Sequence, residues 1–382
     1  MSVYLDYNAS APIDSRVLNR MIDVYKNNIG NADSRTHDYG EKARDVVETA
    51  RNQVANLLGV MPGEVFFTSG ATESNNIAIR GLQEYAEETG KKHIITTAIE
   101  HKAVLETVRH LEKKGFDVDI VKPDKSGRVS VEEIMSLVRD NTLIVSVMHV
   151  NNETGIIQPV KKIGELLCEK GVLFHIDATQ SCGKLVDEIK ELKYSMLSFS
   201  AHKLMGPQGV GGLILKKKRY RLPPVNNIMY GGQQEHGIRP GTIPVALVAG
   251  CGMACEIASE EYKENDKNAK EIKKEILNEL ECSGLDYVFN GDPEYCVSTT
   301  INVAFKGISS EALMITSKQY CGISNGSACT SKSYSPSYVL VAMGIDEEII
   351  DSSVRISWGP DSDKIEVVEG VKKLINIAKT LA

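Results

Sequence analysis

Apolar positions change their spacing repeatedly between about residues 16 and 215. "SRVLNRMIDVYKNN" and "YGEKARDVVETARNQVANLLG" repeat apolar residues every three to four positions. That period predicts two amphipathic helices, the second ending at Gly59. "EVFFTSG" (64–70) is a short apolar run that predicts a strand entering a turn. "ATESNNIAIRGLQEYAEETG" then predicts one amphipathic helix. The alternation continues with "KHIITTAIEH" as strand, "KAVLETVRHLEKKG" as helix, "FDVDIVKP" as strand and "VEEIMSLVRDN" as helix. "TLIVSVMHV" has no polar face and predicts a strand buried on both sides. "VKKIGELLCEKG" follows as helix, with "VLFHIDATQS" and "YSMLSFSAHK" as strands. Strands alternating with helices argue for an α/β layer around a mostly parallel sheet.

The pattern changes near residue 250. A long charged helix over roughly 252–282 leads to strand-like "VSTTINVAF" (297–305), a helix in "SSEALMITSKQYC" and strand-like "SSVRISW" (352–358). This is an α+β segment and predicts a second domain. The expected division is a large domain over 14–255 and a small one built from 1–13 and 256–382.

Composition changes this picture only by exclusion. A chain of 382 residues with a net charge of −7 has ordinary globular proportions and no basic footprint for direct nucleic-acid binding. The longest apolar runs, such as "LIVSVMHV" (143–150), are too short to span a bilayer. "MSVYLDYNASAPID" lacks a basic region followed by an apolar core, so no secretory signal is read and a cytoplasmic location is expected. The eight cysteines include no C-x-x-C pair, and neither zinc spacing nor a disulfide framework is expected. Cys251 and Cys255 read as small residues packing a helix face.

The candidate chemistry lies where predicted strands end, which is where open α/β sheets bind ligands. In "TSGATESNN" (68–76), the amides of Ala71 and Thr72 and the Thr72 hydroxyl can face an anion, or Thr72 can simply cap a helix. His101 follows a strand in "IEHKAV", and Asn151, Asn152 and Glu153 follow another in "HVNNETG". Asp177 ends a strand that should be buried on both faces, and a buried carboxylate must be paired. A protonated ring nitrogen would supply the partner, with Gln180 able to bond the same ring. In "SFSAHKLMGPQGVGGL" (198–213), Lys203 follows Ser200 and His202. A partly desolvated amine forms a Schiff base with an aldehyde, and Ser200 and His202 suit a phosphate. A surface lysine before a glycine turn reads equally well. Arg355, mid-strand in "SSVRISWG", needs an anion: a substrate carboxylate or a structural ion pair. "SNGSACTS" (324–331) sets Cys329 among small polar residues, in what reads as an exposed, flexible loop.

Asp177 and Lys203, with "SGATES" upstream, resemble the fold-type-I enzymes that use pyridoxal 5'-phosphate. A more specific set comprises "YLDYNASAPID", "FTSGATESNN", "EHKAVLET", "MHVNNETG", "HIDATQSCGK", "SFSAHKLMGPQGVG", "RPGT" and "GSACTS". From about residue 3 to 360 the chain resembles the NifS/IscS-like cysteine desulfurases. The resemblance implies a large domain with a mainly parallel seven-stranded sheet, a smaller α+β domain and a homodimer. It implies that Lys203 carries the cofactor, Asp177 pairs with its pyridine nitrogen and Gln180 bonds its phenolic oxygen. His101 stacks on the ring and moves protons. Ala71, Thr72, Ser200 and His202 hold the phosphate, and Thr242 reaches it across the dimer interface. Asn152 and Arg355, with Asn31, bind the substrate carboxylate. Cys329 is the nucleophile, with Lys332 close enough in sequence to favour its thiolate.

The implied reaction turns L-cysteine into L-alanine and leaves a persulfide on Cys329 for an acceptor protein. Some positions depart from the family's habit: Ala32 stands where a proline is frequent, Asn325 where a serine is, and "ASAP" (9–12) replaces an Ala/Thr-rich run. The long C-terminal extension of housekeeping desulfurases is not expected after "INIAKTLA". "MYGGQQEHGIRPGTIPVALVAG" (229–250) resembles desulfurases dedicated to DNA phosphorothioation; iron–sulfur assembly and tRNA thiolation are the other destinations. Rival readings are an aminotransferase or selenocysteine lyase on the same fold, or a non-catalytic sulfur carrier that docks a scaffold. A carrier has no use for the Lys203, Asp177 and Cys329 trio.

Overall fold

The computed structural model describes residues 2–325 and 336–382; Cys329 and Lys332 lie outside them. After a short strand, β1 (Val3–Tyr4), seven strands form the central sheet: β2 (Val65–Thr68), β3 (His93–Thr97), β4 (Asp117–Val121), β5 (Thr142–Met148), β6 (Leu173–Asp177), β7 (Met196–Ser200) and β8 (Gly211–Leu215). Their order is β2-β8-β7-β6-β5-β3-β4. All neighbours pair in parallel except β8, which runs antiparallel to both β2 and β7. The expected seven-stranded, mainly parallel sheet is therefore present.

Helices cover both faces, which is why β3, β5 and β7 are buried at every position. Alternation along each strand sorts the side chains. Val145, Val147, Phe174, Ile176, Leu197 and Phe199 pack with the helices Asp38–Leu58 and Val160–Lys170. Ile144, Leu173 and Met196 pack on the other face with the helices Ala71–Arg80 and Lys102–Glu112. By the two-residue period, Ser146, His175, Asp177, Ser198 and Ser200 belong to that second face. The helix Asp38–Leu58 ends at Gly59 in the left-handed conformation, φ 66°, as its sequence predicts.

Two local expectations are corrected. The single helix expected from Ala71 splits into Ala71–Arg80 and Gln83–Thr89. The break falls where Asn226 N donates to Gly81 O at 2.8 Å, and a Cβ on Gly81 would lie 2.5 Å from Asn226 O. The Gly-rich stretch after Lys203 contains the strand β8. A Cβ on Gly211 would lie 2.4 Å from Phe199 O and 2.8 Å from Gly70 Cα, so the close packing of β8 on its neighbours needs glycine there.

A second layer contains β9 (Tyr287–Phe289), β10 (Thr300–Phe305) and β12 (Ser353–Ser357) in antiparallel order β12-β10-β9, while β1 pairs with β11 (Cys321–Gly322). The charged helix expected over 252–282 is Val245–Glu281, 37 residues long. It packs Cys251 and Cys255 into the core of the large sheet, as expected of small buried residues, and Ile272, Ile276 and Leu280 into the second core. One helix thus spans both clusters, and residue 255 is not a break in it. Among the described residues, no helix is long and apolar enough to cross a membrane, and no cluster of His, Cys, Asp or Glu is arranged to hold a metal ion.

Candidate active site

A cavity of about 440 Å³ opens at the carboxyl ends of β2, β5, β6 and β7. Asp177 is the last residue of β6 and forms part of the wall; it is 4% exposed. Its Oδ2 accepts from Asn75 Nδ2 at 2.7 Å, and its Oδ1 accepts from Thr179 N and Oγ1 at 3.0 and 2.5 Å. No cationic side chain forms an ion pair with it among the described residues. Behind it, His175 Nδ1 meets Ser146 Oγ at 2.8 Å and Nε2 meets Ser198 Oγ at 3.0 Å. Full burial holds His175 down to about 4, so this polar column is neutral and cannot balance the carboxylate.

Lys203 follows β7 in a single turn, Ala201–Lys203. Its Nζ donates to Asn8 O and Ala9 O, each at 2.6 Å. Gln180 Nε2 donates to the same Asn8 carbonyl at 2.9 Å. The N-terminal segment therefore ties the amine to the end of β6. His101 caps the helix Lys102–Glu112, and its Nδ1 accepts from Ala103 N at 3.1 Å, which places the proton of the neutral ring on Nε2. Burial lowers His101, with Asp177 opposing and Lys203 and Lys102 reinforcing the shift. Glu100 beside it is pushed up to about 8 by burial and keeps its proton at neutral pH.

The helix Ala71–Arg80 presents its first turn to the cavity through Ala71 and Thr72. Its leading amides have no partner within the helix, which favours an anion. Ser200 and His202 line the same cavity, and His202 Nδ1 meets Ser10 Oγ at 3.2 Å. Burial, reinforced by Lys203, holds His202 down to about 4. The unfolded chain therefore takes up a proton below about pH 6.5 that the folded chain refuses until about pH 4, and stability falls across that window. Solvent contact reduces the effect to about 1 kcal/mol between pH 7 and 5. Urea melts of cofactor-free protein at the two pH values should show that loss, and His202→Gln should remove about that much of it.

Arg355, on β12, is 3% exposed and also reaches the cavity. Nη2 pairs with Asp6 Oδ1 at 2.6 Å and Nη1 donates to Asn152 O at 2.8 Å, while Nε has no partner. The ion pair that the sequence left open is thus made, and Arg355 lines the cavity at the same time. Asn152 lines the wall beside it with a buried, unpartnered Oδ1. Ser324 exchanges backbone hydrogen bonds with Arg355 at 3.2 and 2.5 Å, and Ser337 Oγ donates to Glu153 Oε2 at 2.5 Å. Both flanks of the segment holding Cys329 are therefore anchored beside this wall.

One cavity thus gathers ten of the residues read from the sequence: Ala71, Thr72, His101, Asn152, Asp177, Gln180, Ser200, His202, Lys203 and Arg355. Two others are elsewhere. Asn31 is exposed and uses its Oδ1 to accept from Asp33 N at 2.9 Å. Thr242 is exposed and outside this chain's cavity. Sequence reasoning missed Asn75, Asn8 and Asp6. Asn75 had a readable signal: it lies four positions after Ala71, so it shares that face of the helix.

Pyridoxal 5'-phosphate fits these residues on two observations. Among the described residues no cationic side chain forms an ion pair with the buried Asp177, and a pyridinium N–H would supply a cation there. A helix N-terminus with Ser200 and His202 supplies neutral donors for a dianionic phosphate, and Lys203 lies in the same cavity as both.

The family model "Aminotransferase class-V" matches residues 3–369. The chain is 41% identical to "Cysteine desulfurase IscS" of Cronobacter sakazakii, covering all of this chain and 95% of that one. Among solved structures, a "NifS-like protein" superposes with a TM-score of 0.91 at 38% identity, covering the whole of both chains. DndA from Streptomyces lividans superposes with a TM-score of 0.81 at 40% identity, covering 92% of this chain and 98% of that one. The chain belongs to the class-V aminotransferase family, and within it is a NifS/IscS-like cysteine desulfurase that uses pyridoxal 5'-phosphate.

Proposed function

We propose that this enzyme leaves the sulfur of L-cysteine on Cys329 and passes it to an acceptor protein. The observation that carries the reading is the cavity that Lys203, Asp177 and Arg355 line together, with one flank of the Cys329 segment bonded to Arg355 and the other to Glu153. Lys203 holds the cofactor and exchanges protons with the substrate's α-carbon. Asp177 keeps the pyridine nitrogen protonated, and Gln180 donates to the phenolic oxygen. Ala71, Thr72, Ser200 and His202 bind the phosphate. His101, which lines the same cavity, would relay a proton from Nε2. Arg355 and Asn152 orient the substrate carboxylate. The cofactor supplies the electron sink that makes the α-proton removable.

The Cys329 thiolate attacks the substrate sulfur, forming an S–S bond as the C–S bond breaks with its electron pair passing to carbon. Protonation of that carbon gives alanine, and the two thiols' worth of hydrogen is conserved between alanine and the persulfide. No external oxidant or reductant enters.

The division into 14–255 and 1–13 plus 256–382 belongs to the same proposal, with the cavity between the two parts. So does the homodimer. Leu18, Ile22 and Tyr25 are 42%, 40% and 63% exposed at helical spacing on the helix Ser15–Asn27, with Ile29, 76% exposed, just beyond its end; this apolar patch suits a second copy. In that dimer Thr242 serves the partner's phosphate site, and Asn31 reaches a carboxylate by the same route. A cytoplasmic location accords with these assignments.

Two destinations for the sulfur have support. Likeness to IscS over the whole chain supports iron–sulfur cluster assembly. Likeness to DndA, with the 229–250 stretch, supports DNA phosphorothioation. Incubation with sulfur-labelled cysteine and each candidate acceptor from the same organism separates them. Label should move to one acceptor and stay off the other; label that stays on this chain with every acceptor contradicts the transfer reading.

A further inference from the structure

Lys203 also borders a second cavity, of about 180 Å³, whose wall includes Lys184, Tyr7, Cys182, Trp358 and Asp361. Lys184 lies four residues beyond Gln180, and its Nζ donates to Gln180 Oε1 at 3.5 Å. Gln180 in turn donates to the Asn8 carbonyl that accepts from Lys203. Lys184 and Lys203 are therefore linked through two groups and face one space.

The carboxylates near this cavity are engaged with other groups. Asp361 Oδ1 accepts from the Tyr7 hydroxyl at 2.7 Å. Asp14 and Glu261 are both held by Arg16, at 2.7 and 2.5 Å. Cys182 is raised by burial and stays a neutral thiol. No carboxylate forms an ion pair with Lys184 among the described residues. The charges that act on it are those of Lys203 and Arg355, both positive, and burial together with these brings Lys184 down to about 8. It remains mostly charged at neutral pH.

We propose that Lys184 is a positioning residue that works through its charge, holding the amine of Lys203 in the neutral form that attacks the cofactor and accepts the substrate's proton. The physics is reciprocal: two ammonium groups in a partly desolvated space disfavour each other, and the lysine with the chemical task is the one that must give up its proton. The same field would act on the Lys203 nitrogen once the cofactor is bound to it. The inference rests on Lys203 being the lysine that carries the cofactor.

The test is a pH titration of the holoenzyme's visible spectrum, which does not depend on turnover. The protonated linkage is yellow, and its deprotonated form absorbs in the near ultraviolet. Lys184→Met removes a positive charge, so the yellow form should persist to higher pH, with its midpoint raised by about one pH unit. Lys184→Arg should leave the midpoint close to wild type. Should the methionine variant fail to fold, Lys184→Gln reports the same shift. A Met or Gln variant that titrates like wild type overturns the role of Lys184. A yellow band that survives Lys203→Ala overturns instead the assignment of Lys203, so the two failures are distinct.

Discussion

Lys203→Ala is expected to yield a folded, colourless protein that releases no alanine from cysteine. In the proposed mechanism the amine both anchors the cofactor and moves the substrate's α-proton, so one substitution would remove two functions that act in series. The loss should be about 10⁴-fold or more, at the upper end of what a single proton-transfer group contributes. The fold should tolerate it. Lys203 sits in a single turn after β7, and the carbonyls of Asn8 and Ala9, to which its side chain donates, can be satisfied by cavity water. Lys203→Arg should be equally colourless, because a guanidinium does not give up its proton to become a nucleophile. Absorbance spectra, circular dichroism and alanine assays check the three parts. A yellow, active Lys203→Ala protein would remove the basis of the site assignment.

The second large effect is expected at Cys329. Cys329→Ala should keep the yellow colour, because none of the residues assigned to holding the cofactor is altered, and lose sulfur release from cysteine by about 10³-fold or more. This separation of colour from turnover distinguishes the two proposed roles, Lys203 acting on the substrate's carbon and Cys329 on its sulfur. The seven cysteines described in the structure do not offer a substitute. Cys182, Cys251, Cys255 and Cys321 are buried, and burial pushes the thiols of Cys182, Cys296 and Cys321 up, away from the reactive thiolate. Cys168 and Cys282 are exposed but do not line the site cavity.

Much of this molecule was readable from apolar spacing, because a sheet covered on both faces writes continuous apolar strands between periodic helices. Asp177 stood out for a physical reason: a carboxylate at the end of the buried strand "VLFHID" demands a partner. The strand β8 escaped because its role rests on glycines whose necessity appears only when Phe199 and Gly70 are packed against them. The break at Gly81 escaped for the same reason, since Asn226 is remote in sequence. Asn8 and Asp6 were invisible as site residues because the N-terminal segment reaches Lys203, Gln180 and Arg355 only through tertiary folding. Arg355 shows how two open readings coexist: it makes the structural ion pair with Asp6 and still lines the cavity.

The polar column of His175, Ser146 and Ser198 explains how a carboxylate is kept at the end of β6. Neutral hydroxyls and a neutral imidazole satisfy the buried polar groups behind it, and none supplies a competing cation. The charge of Asp177 is thereby reserved for whatever enters the cavity. Lys184, in the second cavity that Lys203 borders, contributes the opposite field. On this account the two charges set protonation at opposite ends of the cofactor: Asp177 holds a proton on the ring nitrogen, and Lys184 discourages one on the amine.

The most direct measurement is a single turnover with L-cysteine, without reductant or acceptor, followed by alanine quantification and mass analysis of the peptide carrying Cys329. The account predicts one alanine for each active chain and one added sulfur atom on Cys329. Alanine formed in that amount while Cys329 stays unmodified would contradict it.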